Sequence, residues 1–358
     1  MALFGIFKKD KSGSTAPRGF EALMVSQLDR LTDEAVQITF EVPEDLKQKF
    51  DFIPGQYLTL EITINGQTVR RSYSICSKPG EGLAIGVKAV QNGLVSNYLT
   101  KELQTGTTVY VAYPTGNFKL ITDIKHVVAF AAGSGITPIL SMAKSIEGSD
   151  QHMRLFYGNR TQKTTLFLPE LERLTATTTQ YYFTGEAIEG AQSGRLDKAQ
   201  VTAAIKADLS LLKADAFYIC GPEQMILDVK SALTFFGVSE EKIHFELFTT
   251  PTSENKETTT PLTFTGESHV KMILDDEVVA FNLKASGKSL LDAGIDAGLD
   301  APYSCLGGVC CSCKAKVLSG EAIMTLNYSL SDEEVKSGYI LTCQAHPASS
   351  DLTVSFDV

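Results

Sequence analysis

Hydrophobic and polar positions alternate with period two through much of the first hundred residues. In Tyr57-Leu-Thr-Leu-Glu-Ile-Thr-Ile64, Leu58, Leu60, Ile62 and Ile64 fall on one face and Thr59, Glu61 and Thr63 on the other, the pattern of a half-buried strand. Asn65-Gly66 follows, a pair that accepts the two positive φ angles of a tight hairpin. Further runs predict strands at 22–29, 36–42, 68–76, 83–90 and 107–113, with one helix near Ser96–Leu103. So many strands with so little helix read as an antiparallel β-barrel over 19–120.

The rhythm changes over 121–248. Apolar runs predict strands at His126–Ala132, Met153–Gly158, Tyr181–Gly185, Ala216–Cys220 and Ile243–Phe248, separated by helix-length segments. That alternation implies an α/β domain with a parallel sheet and crossover helices. Thr249–Pro261 is almost wholly polar and has no aliphatic residue, so it is expected to be a linker. Residues 262–358 return to short strands, one modest helix at Leu290–Ala297 and a cysteine-bearing loop.

Composition narrows the function classes. The chain is 43% hydrophobic with a net charge of −10, which gives it core-forming capacity but no basic face for nucleic acid. No apolar run approaches the roughly 18–20 residues that cross a bilayer. Met1–Phe7 precedes Lys8, Lys9 and Lys11, the reverse of a signal peptide's order. Residues 1–18 are expected to form a disordered tail, and the protein to be cytoplasmic, without nucleic-acid or membrane partners.

Five of the seven cysteines crowd the C-terminal part: Cys305, Cys310, Cys311, Cys313 and Cys343. Cys305, Cys310, Cys313 and Cys343 are spaced C-x4-C-x2-C, then 29 residues, then C, an arrangement suited to a two-iron, two-sulfur cluster. Gly307 and Gly308 would let the loop backbone approach the sulfides and donate N–H bonds. A four-cysteine zinc site is the alternative, although zinc ribbons use two C-x2-C knuckles where this chain has one. Cys311 reads as a bystander. Ala301-Pro-Tyr-Ser-Cys305, Lys316-Val-Leu-Ser-Gly-Glu321 and Gly338-Tyr-Ile-Leu-Thr-Cys-Gln-Ala345 resemble plant-type ferredoxins. The resemblance implies an α+β, β-grasp-like domain over 262–358 with those four cysteines as ligands. Leu306 stands where chloroplast ferredoxins commonly carry arginine, a departure that bears on partner docking.

Arg71-Ser72-Tyr73-Ser74 sits at a predicted strand end, and each residue type suits a flavin. A guanidinium pairs with pyrophosphate, a tyrosine ring stacks on isoalloxazine, and a hydroxyl such as that of Ser74 can bond the N5 that receives hydride. Gly93, Val95 and Ser96 lie where a helix begins, so free N–H groups favour a phosphate. With Phe52-Ile-Pro-Gly-Gln-Tyr57, Gly86-Val87-Lys88 and Tyr113-Pro-Thr-Gly-Asn-Phe118, the pattern resembles the ferredoxin–NADP reductase superfamily. FAD is the flavin expected, with FMN the alternative.

Gly133 and Gly135, in Ala131-Ala-Gly-Ser-Gly-Ile-Thr-Pro138, join the first parallel strand to a helix; Cys220-Gly221-Pro222 ends the fourth strand. Ligands bind open parallel sheets at that edge. Both motifs resemble the nucleotide domain of the same superfamily. The resemblance puts Thr137 and Cys220 beside the nicotinamide, and Glu246 and Phe248 at the flavin face. At the end of the second strand Arg160, followed by Lys163, replaces the acid that would bond a ribose 2′-hydroxyl. NADPH is therefore expected, with NADH the alternative.

The three constellations describe a path from NAD(P)H through FAD to the cluster. Their fusion resembles the reductase components of multicomponent oxygenases. Ala322–Leu330 with Asp332–Val335 is most similar to the phenylacetyl-CoA epoxidase reductase subunits. Ser74, Cys220 and Glu246 are the residues expected nearest the hydride chemistry, and an oxygenase is the expected acceptor. Residues 262–358 hold six Lys and Arg against thirteen Asp and Glu, a surface that would steer toward a basic acceptor. The rival readings are a reductase for another aromatic-ring or steroid hydroxylase, and a non-catalytic zinc-stabilised binding protein.

Overall fold

The structure, a computed structural model, describes residues 16–248 and 264–357. The expected linker at 249–261, and all but the last three residues of the expected tail, lie outside the described residues.

Strands β1 (Phe20–Thr32), β2 (Ala35–Glu41), β3 (Tyr57–Ile64), β4 (Gln67–Ser74), β5 (Leu83–Lys88) and β6 (Thr108–Ala112) pair in the order β4-β3-β6-β1-β2-β5. An antiparallel bridge between Ile75 and Ile85 brings the two ends together, so the sheet closes as a barrel. Leu58, Leu60, Ile62 and Ile64 all enter its core, as their parity predicts. Asn65 and Gly66 both take positive φ, 51° and 80°, which is the twist a two-residue hairpin needs. The barrel helix α1 (Leu94–Lys101) begins two residues earlier than predicted, directly after Gly93.

Strands β7 (His126–Ala132), β8 (His152–Asn159), β9 (Thr177–Phe183), β10 (Gln192–Ser193), β11 (Ala216–Cys220) and β12 (Ile243–Glu246) form an all-parallel sheet, ordered β10-β9-β8-β7-β11-β12. Helices α2 (Ile136–Ile146), α3 (Leu168–Leu171), α4 (Lys198–Ala207) and α5 (Glu223–Phe235) accompany it, and apolar cores lie on both faces. The strand order reverses between β7 and β11, the switch point at which such sheets bind ligands. Ala35, Cys76 and Ala84 of the barrel join the α2 core, so barrel and sheet share apolar packing.

The third unit has a mixed sheet of β13 (Glu267–Leu274), β14 (Glu277–Lys284), β15 (Lys314–Ser319), β17 (Tyr339–Leu341) and β19 (Asp351–Ser355). Its order is β14-β13-β19-β15-β17, with β16 (Ala322–Met324) and β18 (Ala345–Pro347) paired separately. Helix α6 (Leu290–Asp296) supplies Leu290 and Leu291 to its core, and a short α7 (Asp332–Lys336) is held by a Ser331–Glu334 capping box. The cysteine loop spans the gap between α6 and β15.

Candidate flavin, nucleotide and iron–sulfur sites

One cavity lies where all three units meet. Tyr57, Arg71, Ser72, Ser74, Glu246, Leu247, Phe248, Cys305, Val309 and Cys310 line it. Barrel strand β4 delivers Arg71, Ser72 and Ser74; β12 and the residues after it deliver Glu246 and Phe248; the cysteine loop closes the far side. Cys220 stands beside Glu246 in the β11–β12 register, and its fully buried thiol is pushed well above its ordinary range.

The electrostatics of this cavity suit a flavin. Glu246 is pushed up to about 8 by burial, against which a Ser74 hydrogen bond works, and its Oε2 has no hydrogen-bond partner. An unpartnered buried acceptor costs about 1–3 kcal/mol unless a ligand or water meets it. Arg71 Nη1 donates to the Arg70 carbonyl at 2.7 Å, and among the described residues no carboxylate lies within ion-pair distance of it, which leaves its charge free for a phosphate. Tyr57, quoted in the flavin pattern without a role of its own, donates its hydroxyl to the Cys310 carbonyl and lies 3.0 Å from Ser312 Oγ.

Other expected flavin residues stand apart from this cavity. Tyr73 packs against the barrel core, and Val87 and Val95 are inside it. Gly86 faces Thr137, where a Cβ would come within 2.5 Å of Cγ2. Ser96 Oγ accepts from the Val90 N–H at 3.1 Å and donates to the Gly93 carbonyl at 3.4 Å. Its hydroxyl is thus used locally, and the Gly93 N–H donates to the Val90 carbonyl at 2.9 Å, so what α1 offers is the backbone N–H of Val95 and Ser96. Lys88 lies at the end of β5, outside the cavity lining.

The nucleotide motifs meet at the β7–β11 switch point. A Cβ on Gly135 would lie 2.1 Å from the Cys220 carbonyl oxygen, so only glycine lets α2 start against that strand end. Gly133 takes φ +54° with nothing near its Cβ position, leaving its backbone open. Thr137 is buried, its hydroxyl bonded to the Ser134 carbonyl at 3.0 Å. A groove beside them is lined by Ala132, Gly158, Asn159, Arg195, Pro222 and Met225, among others. Asn159 Nδ2 is buried without a partner. The arginine in this groove is Arg195; Arg160 is exposed and outside its lining. Lys163 is engaged at 2.8 Å by Asp33. Arg195 lies in Ser193-Gly-Arg-Leu-Asp197, directly after β10, and the glycine ahead of it was the available signal.

The cysteine loop sorts its thiols into pairs. Cys305 is drawn below the ordinary thiol range chiefly by the neighbouring Cys310 side chain, and Cys343 likewise by Cys313. Backbone N–H groups of Gly307, Val309 and Cys310 also favour the Cys305 thiolate, and that of Gly308 favours Cys343. Among the described residues no three His, Cys, Asp or Glu side chains converge as one metal ion requires. Two neighbouring pairs of thiols suit a two-iron cluster. Cys311 has φ +58° and turns its sulfur to the Ser329 carbonyl at 3.3 Å.

Comparison with known proteins agrees with this architecture. Residues 22–120 match the oxidoreductase FAD-binding domain family, 130–231 the oxidoreductase NAD-binding domain family, and 273–348 the 2Fe-2S iron-sulfur cluster binding domain family. A subunit of the 1,2-phenylacetyl-CoA epoxidase of Escherichia coli (strain K12) is 36% identical, over 94% of this chain and 98% of that protein. The ferredoxin reductase component of the Rhodococcus rhodochrous 3-ketosteroid-9-alpha-monooxygenase is 32% identical, over 93% and 96%. Phthalate dioxygenase reductase, a modular structure for electron transfer from pyridine nucleotides to a 2Fe-2S centre, superposes with a TM-score of 0.59 at 26% identity, over 94% and 98%. FAD, NAD(P)H and a 2Fe-2S cluster are accordingly the cofactors, which sets aside the zinc-stabilised, non-catalytic reading. The chain belongs to the ferredoxin-reductase-type oxidoreductases that join FAD-binding, NAD-binding and 2Fe-2S domains on one polypeptide, the family of reductase components of multicomponent oxygenases.

Proposed function

We propose that this chain is the cytoplasmic reductase component of a phenylacetyl-CoA epoxidase system, oxidising NADPH and supplying single electrons to a partner oxygenase. The observation that carries the electron-transfer part is the shared cavity, in which Arg71, Ser74 and Glu246 face Cys305 and Cys310. When bound, FAD would supply two-electron chemistry with the nicotinamide and one-electron transfer to the cluster. Arg71 would hold the flavin phosphates by charge. Ser74 and Glu246, which line the cavity, would lie beside the flavin, where the Glu246 carboxyl could hold a proton, and Phe248 would limit access of water. Gly133, Gly135, Thr137 and Cys220-Gly221-Pro222 would cradle the nucleotide, and Arg195 in the groove would select the 2′-phosphate, with Arg160 contributing less. Cys305, Cys310, Cys313 and Cys343 would hold the cluster.

The pathway assignment rests on the 36% identity with the epoxidase protein over nearly the full length of both chains. Purified reductase should support NADPH-dependent epoxidation of phenylacetyl-CoA when combined with the oxygenase part of the epoxidase. Support of a 3-ketosteroid hydroxylase and not of the epoxidase would move the assignment to the steroid branch.

A further inference from the structure

Arg70, one residue before the flavin arginine, has a different task. Alternation along β4 sends its side chain to the face opposite Arg71, where it is 6% exposed. Its Nε donates to Glu61 of the neighbouring barrel strand at 2.7 Å. Its Nη2 reaches Asp300 at 3.2 Å and its Nη1 the Ala301 carbonyl at 3.3 Å, both in the ferredoxin domain. The guanidinium is sandwiched between Phe20 of the barrel and Tyr303 of the ferredoxin domain, 4.9 Å from each ring centroid. Ser72, two residues on, meets Ser304 at 2.7 Å. Asp300, Ala301, Tyr303 and Ser304 lead directly into Cys305.

We propose that Arg70 is a releasable latch that docks the ferredoxin domain against the flavin cavity and sets how often the cluster can be reduced there. It rests on the reading that electrons pass from flavin to cluster. The geometry suits a reversible contact. A buried cation stripped of its only partner costs several kcal/mol, but Glu61, on the same barrel and itself 13% exposed, stays with Arg70 when the domains part. Asp300 is already 49% exposed and returns to water at little cost. The other polar links across this face are the hydroxyl contacts of Tyr57 and Ser72, an amide–thiol contact from Asn117, and an ion pair of Arg18 with Asp275 whose side chains are 41% and 56% exposed. The planar guanidinium of Arg70 is the buried cation among them. Because both domains share one chain, docking is intramolecular, and modest contact energies shift the docked fraction.

The test uses holoprotein carrying flavin and cluster. Arg70→Gln and Asp300→Asn are mixed anaerobically with NADPH, following cluster bleaching, with ferricyanide reduction as the flavin-level control. X-ray scattering of the oxidised proteins reads domain separation independently of activity. Each variant should slow cluster reduction about tenfold, the scale of one charged hydrogen bond. Ferricyanide reduction should be unchanged, the radius of gyration should rise, and the double variant should be no slower than Arg70→Gln. Asp300→Asn leaves the barrel intact, so it decides the matter if Arg70→Gln folds poorly. Unaltered cluster reduction and scattering in Asp300→Asn would overturn the latch. Failure of the unmodified protein to reduce its cluster from NADPH would instead overturn the electron-transfer reading.

Discussion

Glu246 states the residue-scale argument most sharply. Its folded carboxyl titrates near 8 against an ordinary 4.5, because burial disfavours the anion. Between those values the folded protein holds a proton that the unfolded chain releases, so stability falls as pH rises, by at most about 1.4 kcal/mol per unit. Glu246→Gln keeps the shape and cannot ionise; its unfolding midpoint should match the unmodified protein at pH 5 and exceed it at pH 9. Equal differences at both values would place the titration elsewhere. For the cysteines, serine at Cys305, Cys310, Cys313 or Cys343 should abolish the cluster's absorption and bound iron while flavin remains. Serine at Cys311, whose sulfur faces Ser329, should leave both. At this scale much was legible, since the cysteine spacing and Arg71-Ser-Tyr-Ser are local. Arg70 was not, because its partner Asp300 lies 230 positions away. Nor was the Asp275-Asp276 turn legible. Both residues take positive φ, and the Asp357 carboxylate accepts their N–H groups at 2.6 and 3.0 Å, so a distant acid does what glycine does in Asn65-Gly66.

Among elements, the start of α2 is the most constrained. A methyl group at Gly135 would meet the Cys220 carbonyl and force the helix off β11. Gly135→Ala should cost about 1–3 kcal/mol, the range of overpacked cores, and weaken NAD(P)H binding; chemical denaturation and nucleotide titration check the two effects. The neighbouring groove redirects what strand-end reasoning suggests. A basic residue after the second strand pointed to Arg160, but the chain folds Ser193–Asp197 back across the sheet edge and brings Arg195 into the lining. Arg195→Ala should therefore raise KM for NADPH well above its effect on KM for NADH, and Arg160→Ala should do so less. Equal effects on the two nucleotides would make both arginines structural. Element types followed from periodicity, whereas edges such as the start of α1 depended on packing against the barrel.

For the whole molecule, the arrangement of three units around one cavity explains why the chain carries its modules in series. Among the described residues no helix is long and apolar enough to cross a membrane. The flavin-side groups and Cys305 and Cys310 share the same lining, so an electron need not leave the protein between donor and cluster. Relative placement was the least legible feature in the sequence, because the segment that looks like a linker says only that the domains are tethered. The docked contact is written in Arg70, which reads locally as an ordinary strand position, and in Tyr57 and Ser72, which read locally as part of the flavin pattern. The most direct measurement is anaerobic rapid mixing of the oxidised holoprotein with one equivalent of NADPH, resolving flavin and cluster absorbance in time and trapping samples for paramagnetic resonance. Flavin bleaching should come first, followed by a reduced-cluster signal that is missing in Cys305→Ser. A flavin that cycles while the cluster stays oxidised, or a cluster reduced before the flavin, would contradict it.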